Sequence, residues 1–328
     1  MLKKMRYICI IGAGNIGSRH LQALKNVKSP LSIYIIDPSV DSLNLAKKRY
    51  ESFPNSINSN HKLAFYQEID KLPKQIDLTI IATSSNVRRA VCQKLLNHSS
   101  VKFMILEKLL FQKRADYLFI QKLLKDKKCQ AFVNCSMRTM SFYYKLKEQI
   151  HTPINYFVTG SQYGLVTNAI HYIDHMAFLT GVSDFTVDTN SLDTAPIESK
   201  RKGFLELNGT LNVTFKDGSF GSFCCFAKGN APIIVEIASP DFRCISKESE
   251  KKASVARADK KWIWEEIDVD IPYQSQMTDK IVNDLFNEGR CQLVNYAESA
   301  KIHLTLLESL LKFLNKYSKK SLSAFPFT

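Results

Sequence analysis

Close to its start the chain carries an unbroken apolar run, Tyr7-Ile-Cys-Ile-Ile11, that leads directly into Gly12-Ala-Gly14-Asn15-Ile16-Gly17. A segment of helical spacing follows, through Ile16, Leu21 and Leu24. A continuous apolar run of this length predicts a strand buried on both faces, as in parallel sheets. Glycines at this spacing between a strand and a helix have separate roles. Gly12 permits a tight turn, Gly14 lets the backbone approach a phosphate, and Gly17 lets the helix pack close to the strand. A second apolar stretch, Ser32 to Asp37, ends on an acid about 20 residues past the last glycine. Together the loop residues Gly12, Gly14, Asn15, Ile16 and Gly17 and the carboxylate of Asp37 predict a dinucleotide site. The helix N-terminus offers N–H groups and partial positive charge to a pyrophosphate. Asp37 accepts hydrogen bonds from ribose hydroxyls and repels a 2′-phosphate, and Pro38 and Ser39 rather than an arginine follow it. The expected cofactor is NAD, with NADP disfavoured.

The alternation continues. Leu43 to Tyr50 reads as helix, 54–62 as a polar loop, Asp77 to Ala82 as strand, Val87 to Leu96 as helix, and Val101 to Leu106 as a strand ending at Glu107-Lys108. Alternating strand and helix predicts a doubly wound parallel sheet. Past residue 130 strands succeed one another at 155–163, 204–215, 219–226 and 233–237, with a hairpin turn at Gly218 and a continuation at 262–267. A helix from Ala169 to Thr180 ends at Gly181, and Ala297 to Tyr317 is strongly helical. The expected architecture is α/β. A Rossmann dinucleotide-binding domain spans 1–130. An α+β domain spans 131–328, serves substrate binding and oligomerisation, and has a large, mostly antiparallel open sheet. The last helix is expected to pack back on the first domain.

Composition narrows the function classes. The net charge is +14, but the lysines are dispersed and no basic tract interleaved with aromatics occurs. That disfavours nucleic acid and leaves a solvated surface, with an anionic substrate as the second reading. No apolar run approaches the ~18 residues needed to span a bilayer. Eight cysteines are scattered without a C-x-x-C pair, which predicts reduced thiols, a cytoplasmic location and no zinc site. His171 and His175 stand four apart on a helical face and could ligate a metal, but no third ligand stands out. We expect no metal here.

Several further landmarks, in order, carry a family resemblance: Gly12 to His20, Ala82-Thr83-Ser84-Ser85, Glu107-Lys108-Leu109, Asn134-Cys-Ser-Met-Arg138 and His171-Tyr-Ile-Asp174. A C-terminal pattern running from Ser275 through Gly289 to His303 completes them. The set resembles the glucose–fructose oxidoreductase / inositol dehydrogenase / MocA family and spans nearly the whole chain. The resemblance implies an NAD(P)-dependent dehydrogenase of sugars or related polyols, working as a homodimer or homotetramer. It implies Ala82, Thr83, Ser84, Glu107, Lys108 and Asn134 at the cofactor, and Lys108 and His171 as catalytic residues. Histidine suits proton transfer near neutral pH, and a lysine can hold an oxygen on which negative charge develops.

Two departures stand out. Leu109 replaces the proline usual after the lysine, and Thr167 stands where the family often has an aspartate four residues before the histidine. Asn168 could hydrogen-bond substrate instead. Arg138 could bind an anionic group or join a salt bridge between domains, and Tyr163 could reach substrate or pack. Asp174 could contact substrate, orient His171 or cap local structure. His20 reads as structural. The missing acid at 167 leaves a second functional class open: a catalytically inactive NAD-binding regulatory or scaffold protein.

Overall fold

The computed structural model describes residues 5–54, 61–318 and 321–328, so the loop expected at 54–62 lies mostly outside the described residues. The chain forms two compact units, Met1–Asn134 with Pro272–Ala297, and Cys135–Ile271 with Glu298–Thr328. The first unit begins β1 (Arg6–Ile11), α1 (Asn15–Leu24), β2 (Leu31–Ile36), α2 (Val40–Ser52), β3 (Lys62–Tyr66), β4 (Gln75–Ile81), α3 (Ser85–His98), β5 (Ser100–Leu106), α4 (Arg114–Asp126) and β6 (Gln130–Val133). The second unit contains α5 (Ser141–Leu146), β7 (Asn155–Ser161), α6 (Leu165–Thr180), β8 (Phe185–Asp188), β9 (Ile197–Glu198), β10 (Leu205–Glu206), β11 (Gly209–Phe215) and β12 (Phe220–Phe226). It continues with β13 (Ile234–Ala238), β14 (Phe242–Lys247), β15 (Lys252–Arg257) and β16 (Glu265–Asp268). The chain then returns to the first unit through α7 (Thr278–Glu288) and β17 (Val294–Asn295) and ends with α8 (Tyr296–Tyr317).

In the first unit the strand order is β17-β6-β5-β4-β1-β2-β3. All neighbours are parallel except β17, which pairs antiparallel with β6. The order reverses between β1 and β4, as in a dinucleotide-binding sheet. The apolar runs explain the burial: Ile8, Ile10, Leu78, Ile80, Phe103 and Ile105 lie in one core with Leu21 and Leu24 of α1 and Ile281, Val282 and Leu285 of α7. Strand β17 extends this sheet and helix α7 packs in its core, and sequence reasoning assigned neither to this unit.

The second unit is built on an eight-stranded sheet, β16-β15-β14-β13-β7-β12-β11-β8, antiparallel except for the β7–β12 pair. Its strands alternate as a half-buried sheet must: in β7, Tyr156 and Val158 are buried while Asn155 and Thr159 are exposed. Helix α6 packs on the buried face beside β12. The fold class is therefore the expected one, a Rossmann-type parallel sheet followed by a mostly antiparallel sheet.

Three local readings change. The strand expected over 204–215 breaks after Glu206, where the carbonyl of Asn208 takes the N–H of Asp193 and diverts the chain. The strand expected at 262–267 covers only 265–268, because Lys261 and Trp262 lie in left-handed conformations and the Trp262 N–H closes a loop on Arg257. Helix α6 starts at Leu165, four residues before the expected Ala169, because Glu206 caps its first turn. No helix of the described residues is long and apolar enough to cross a membrane.

Candidate functional site

The parallel strands of the first unit end together. Just past each end, one backbone N–H hooks onto the neighbouring strand: Gly12 on Ile36, Ala82 on Ile11, Glu107 on Ile81 and Asn134 on Leu106, at 2.8–3.0 Å. Asp37 ends β2 in the same row. The glycine loop, Asp37, Ala82-Thr83-Ser84, Glu107-Lys108 and Asn134 therefore share one edge, over about four strand spacings or roughly 19 Å. In open parallel sheets ligands bind outside this carboxyl edge.

The loop has the shape that a dinucleotide needs. Gly12 sits at φ +96, and a Cβ there would stand 2.8 Å from the Ala82 carbonyl carbon. At Gly17 a Cβ would lie 1.8 Å from the Gly12 carbonyl oxygen, so only glycine allows α1 to approach β1. Beside Gly14 nothing stands within 4 Å of where a Cβ would point. No side chain caps α1 and no acid sits in its first turn, so its N–H groups face this opening as an anion site. Asp37 is held beside it, accepting from the Ala13 N–H at 2.7 Å and the Ser39 N–H at 2.9 Å. Asn15, the first residue of α1, accepts from Arg49 at 3.1 Å.

Next to Lys108 lies a buried polar network. His20 contacts Glu107 Oε1 through Nε2 at 2.9 Å and the Thr278 hydroxyl through Nδ1 at 2.8 Å. Asn134 donates to Glu107 at 2.6 Å and to Gln274 Oε1 at 2.8 Å. Its own Oδ1 is buried and has no partner among the described residues. Burial pushes the Glu107 carboxyl up, but the hydrogen bond and charge of His20, the Asn134 amide and the charge of Lys108 outweigh it and hold the group at about 2. A depressed acid stabilises the fold above its unfolded value of 4.5 and loses that contribution as pH falls toward 2. Unfolding midpoints measured across that window should therefore drop for the wild type and drop less for Glu107→Gln. An identical slope for both would remove Glu107 from the explanation.

Lys108 is half-buried and its peptide bond to Leu109 is cis although no proline follows. The turn is held by Arg88, whose fully buried guanidinium donates to the carbonyls of Glu107 (2.6 Å) and Leu110 (2.9 Å), and to those of Leu109 and Thr83. Sequence reasoning missed Arg88. Its signal was the spacing of the buried face of α3, where it falls in line with Ser85, Cys92 and Leu95.

In the second unit His171 is half-buried, one turn along α6 from Thr167. Thr167 carries no carboxylate, yet one is present. Glu206 of β10 accepts from the Thr167 hydroxyl at 2.9 Å, the Thr167 N–H at 3.3 Å and the Val166 N–H at 2.6 Å. Asn168 spends its amide protons on the carbonyls of Tyr163 (2.6 Å) and Gly164 (3.0 Å), so only its Oδ1 is left for a ligand. The Tyr163 hydroxyl is buried with no hydrogen-bond partner among the described residues, and its ring meets Tyr172 edge-on at 6.5 Å.

Arg138 and Asp174 are turned toward each other. The guanidinium grips the carboxylate through Nε–Oδ2 at 2.8 Å and Nη2–Oδ1 at 2.9 Å, with a further bond to the Asp174 carbonyl. Both side chains are more than nine-tenths buried, and Glu298 stands 3.7 Å from the same guanidinium. Of the two sequence-based readings for Arg138, its geometry gives the ion pair, but within the second unit rather than between domains, because its partner Asp174 lies on α6. Asp174 orients Arg138 rather than His171. Burial pushes Asp174 up to about 7 against the pull of Arg138. Removing one partner of a buried pair is costly, so Arg138→Ala should lower stability by about 3–5 kcal/mol, measured by denaturant unfolding. A loss within about 0.5 kcal/mol would show that the pair carries no such weight. His175 is fully buried, with Tyr156 on its Nδ1 at 3.0 Å, and burial pushes it down to about 3. Among the described residues no group of three or more His, Cys, Asp or Glu side chains is placed to hold a metal ion.

Residues 6–135 match the family model described as oxidoreductase family, NAD-binding Rossmann fold. No curated protein matches the sequence. Among solved structures, UDP-N-acetylglucosamine 3-dehydrogenase from Acidithiobacillus ferrooxidans is similar with a TM-score of 0.73 at 11% identity, over 96% of this chain and 100% of that one. A levoglucosan dehydrogenase in complex with NADH and L-sorbose gives 0.69 at 15% identity, over 95% and 97%. A super-repressor mutant of Gal80p from Saccharomyces cerevisiae gives 0.70 at 14% identity, over 98% of each. At these identities the likeness is one of fold. The NAD-binding domain rests on the family match over 6–135.

Proposed function

We propose that this chain, whose residues 6–135 are an NAD-binding Rossmann domain of the glucose–fructose oxidoreductase / inositol dehydrogenase / MocA oxidoreductases, is an NAD(H)-dependent dehydrogenase of a sugar, nucleotide sugar or related polyhydroxy compound. The observation that carries the reading is the row at the carboxyl edge of the first sheet. A lysine seated beside a locked carboxylate past β5, an open glycine loop past β1 and the carboxylate of Asp37 past β2 stand along that one edge. Bound NAD supplies the acceptor or donor of the hydride. Lys108 holds the reacting oxygen with its ammonium group, and His171 takes or returns the hydroxyl proton on its imidazole. Asn168 Oδ1 and the Tyr163 hydroxyl orient the remaining hydroxyls. Asp37 selects NAD over NADP by repelling a 2′-phosphate.

The test is NADH turnover, in both directions, against a panel of nucleotide sugars, aldoses, polyols and their oxidised forms. The reading expects turnover by at least one class. Its opposite has a specific motive: the fold is shared with a Gal80p repressor variant, and position 167 lacks an acid. NADH binding without turnover across the whole panel would replace the dehydrogenase by an NAD-binding regulator.

A further inference from the structure

Helix α6 begins without a cap of its own. Gly164, at φ +79, has no side chain to offer the first-turn N–H groups. The cap comes from Glu206, whose two oxygens together accept four hydrogen bonds: from Val166 N (2.6 Å) and Leu207 N (3.1 Å) on Oε1, and from Thr167 N (3.3 Å) and Thr167 Oγ1 (2.9 Å) on Oε2. None of these partners is a cation, and the side chain is 5% exposed. The approach is close enough to require glycine at 164, where a Cβ would stand 2.7 Å from the Thr167 oxygen and 3.1 Å from Glu206 Oε2. The short strand carrying Glu206 is itself tied down, because Leu205 donates to the Pro326 carbonyl at 2.7 Å.

A helix needs nothing so costly for a cap. A serine, threonine or asparagine at its N-terminus satisfies the same N–H groups, whereas a carboxylate buried without a cation is expensive and burial raises its pKa. Such groups concentrate at functional sites. Glu206 has the position for one. Its Oε2 rests on Thr167, and residues four apart on a helix lie on one face, which places His171 one turn above it. Asn168, next along, is tied to the same turn, and the buried hydroxyl of Tyr163 precedes it.

We propose that Glu206 is a positioning residue for the reacting face of α6: through Thr167 it fixes the first turn and thereby the setting of Asn168 and His171, supplying from strand β10 the carboxylate that position 167 lacks. This rests on the assignment of His171 above, so the test has an arm that needs no substrate. Histidine-labelled full-length protein is compared by carbon–proton correlation spectra, with His171 assigned from a His171→Ala sample. Glu206→Gln should displace the His171 ring signal while leaving those of His20 and His175 in place, and Glu206→Asp should move it back toward the wild type. An unmoved His171 signal overturns the proposal, whether or not a substrate has been found. So does displacement of all three histidines alike, which marks general loosening.

The kinetic arm uses whichever member of the sugar panel is turned over. Glu206→Gln should cut kcat about ten- to hundredfold, with KM and the NADH dissociation constant within about threefold, and Glu206→Asp should recover part of the loss. Full kcat in Glu206→Gln overturns the proposal. If Glu206→Gln fails to fold, Thr167→Val removes the hydroxyl link and leaves the backbone caps. It should shift the same His171 signal, and an unmoved signal in that variant counts equally against the proposal.

Discussion

Gly17→Ala is expected to abolish measurable NADH binding and to destabilise the first unit, while Gly14→Ala weakens NADH binding and leaves stability nearly untouched. The contrast follows from what each new methyl group meets. At Gly17 it falls 1.8 Å from the Gly12 carbonyl oxygen, a backbone atom at the tip of the loop that cannot swing aside as a flexible side chain would. Either α1 moves off β1 or the loop opens, and both carry the N-terminus of α1 away from the phosphates. Overpacking of this kind costs about 3 kcal/mol or more, and an affinity loss of at least about 100-fold should accompany it. At Gly14 the methyl projects into open space, so unfolding should change by no more than about 1 kcal/mol. That open space is where the pyrophosphate is expected, so NADH should bind at least about tenfold more weakly. NADH titration by fluorescence, with denaturant unfolding of the same samples, reads both. Equal NADH affinity in wild type and Gly14→Ala would move the phosphate site elsewhere.

How far these features could be read from sequence depends on how local they are. The glycine loop, Asp37 and the strands at 7–11 and 77–82 were legible because each signal is contiguous in sequence, and the loop and Asp37 meet within one βαβ unit. Strand β3, with its polar flank, and helix α4 went unread. So did the β14–β15 hairpin, although Phe242, Cys244 and Ser246 alternate as a half-buried strand should. Each long-range pairing was illegible in kind. Glu206 lies 39 residues from Thr167, and Arg138 lies 36 from Asp174. Nothing in a linear spacing states that such pairs touch. The first nevertheless left a trace. Glu206 is a single acid in the run Phe204-Leu205-Glu206-Leu207, and an acid placed on an apolar stretch asks for a buried partner. His20 read as structural, and it is buried as a structural residue is. Its contacts to Glu107 and Thr278 make it the support of the turn that carries Lys108.

That turn and α6 hold the pair on which the proposed chemistry depends, and the largest kinetic effects should follow their removal. His171→Ala should reduce turnover about 10²- to 10⁴-fold, the range expected for a positioned acid/base, with the NADH dissociation constant within about threefold of the wild type. Lys108→Ala should cost about 10²- to 10³-fold in kcat, since it removes a charge that stabilises the reacting oxygen. Lys108→Arg should recover little of this loss, because a planar guanidinium cannot take the place of a compact ammonium in a turn whose carbonyls already hold Arg88. In the proposed reaction the two residues act on one oxygen and its proton, so their losses should not add. The double variant should be about as slow as the slower single one, as found where groups work as a unit. Losses that multiply in full would mean that the two act in separate steps. A His171→Ala enzyme with wild-type kcat would remove the histidine from the reaction and leave Lys108 as the residue around which the proton's route must be sought.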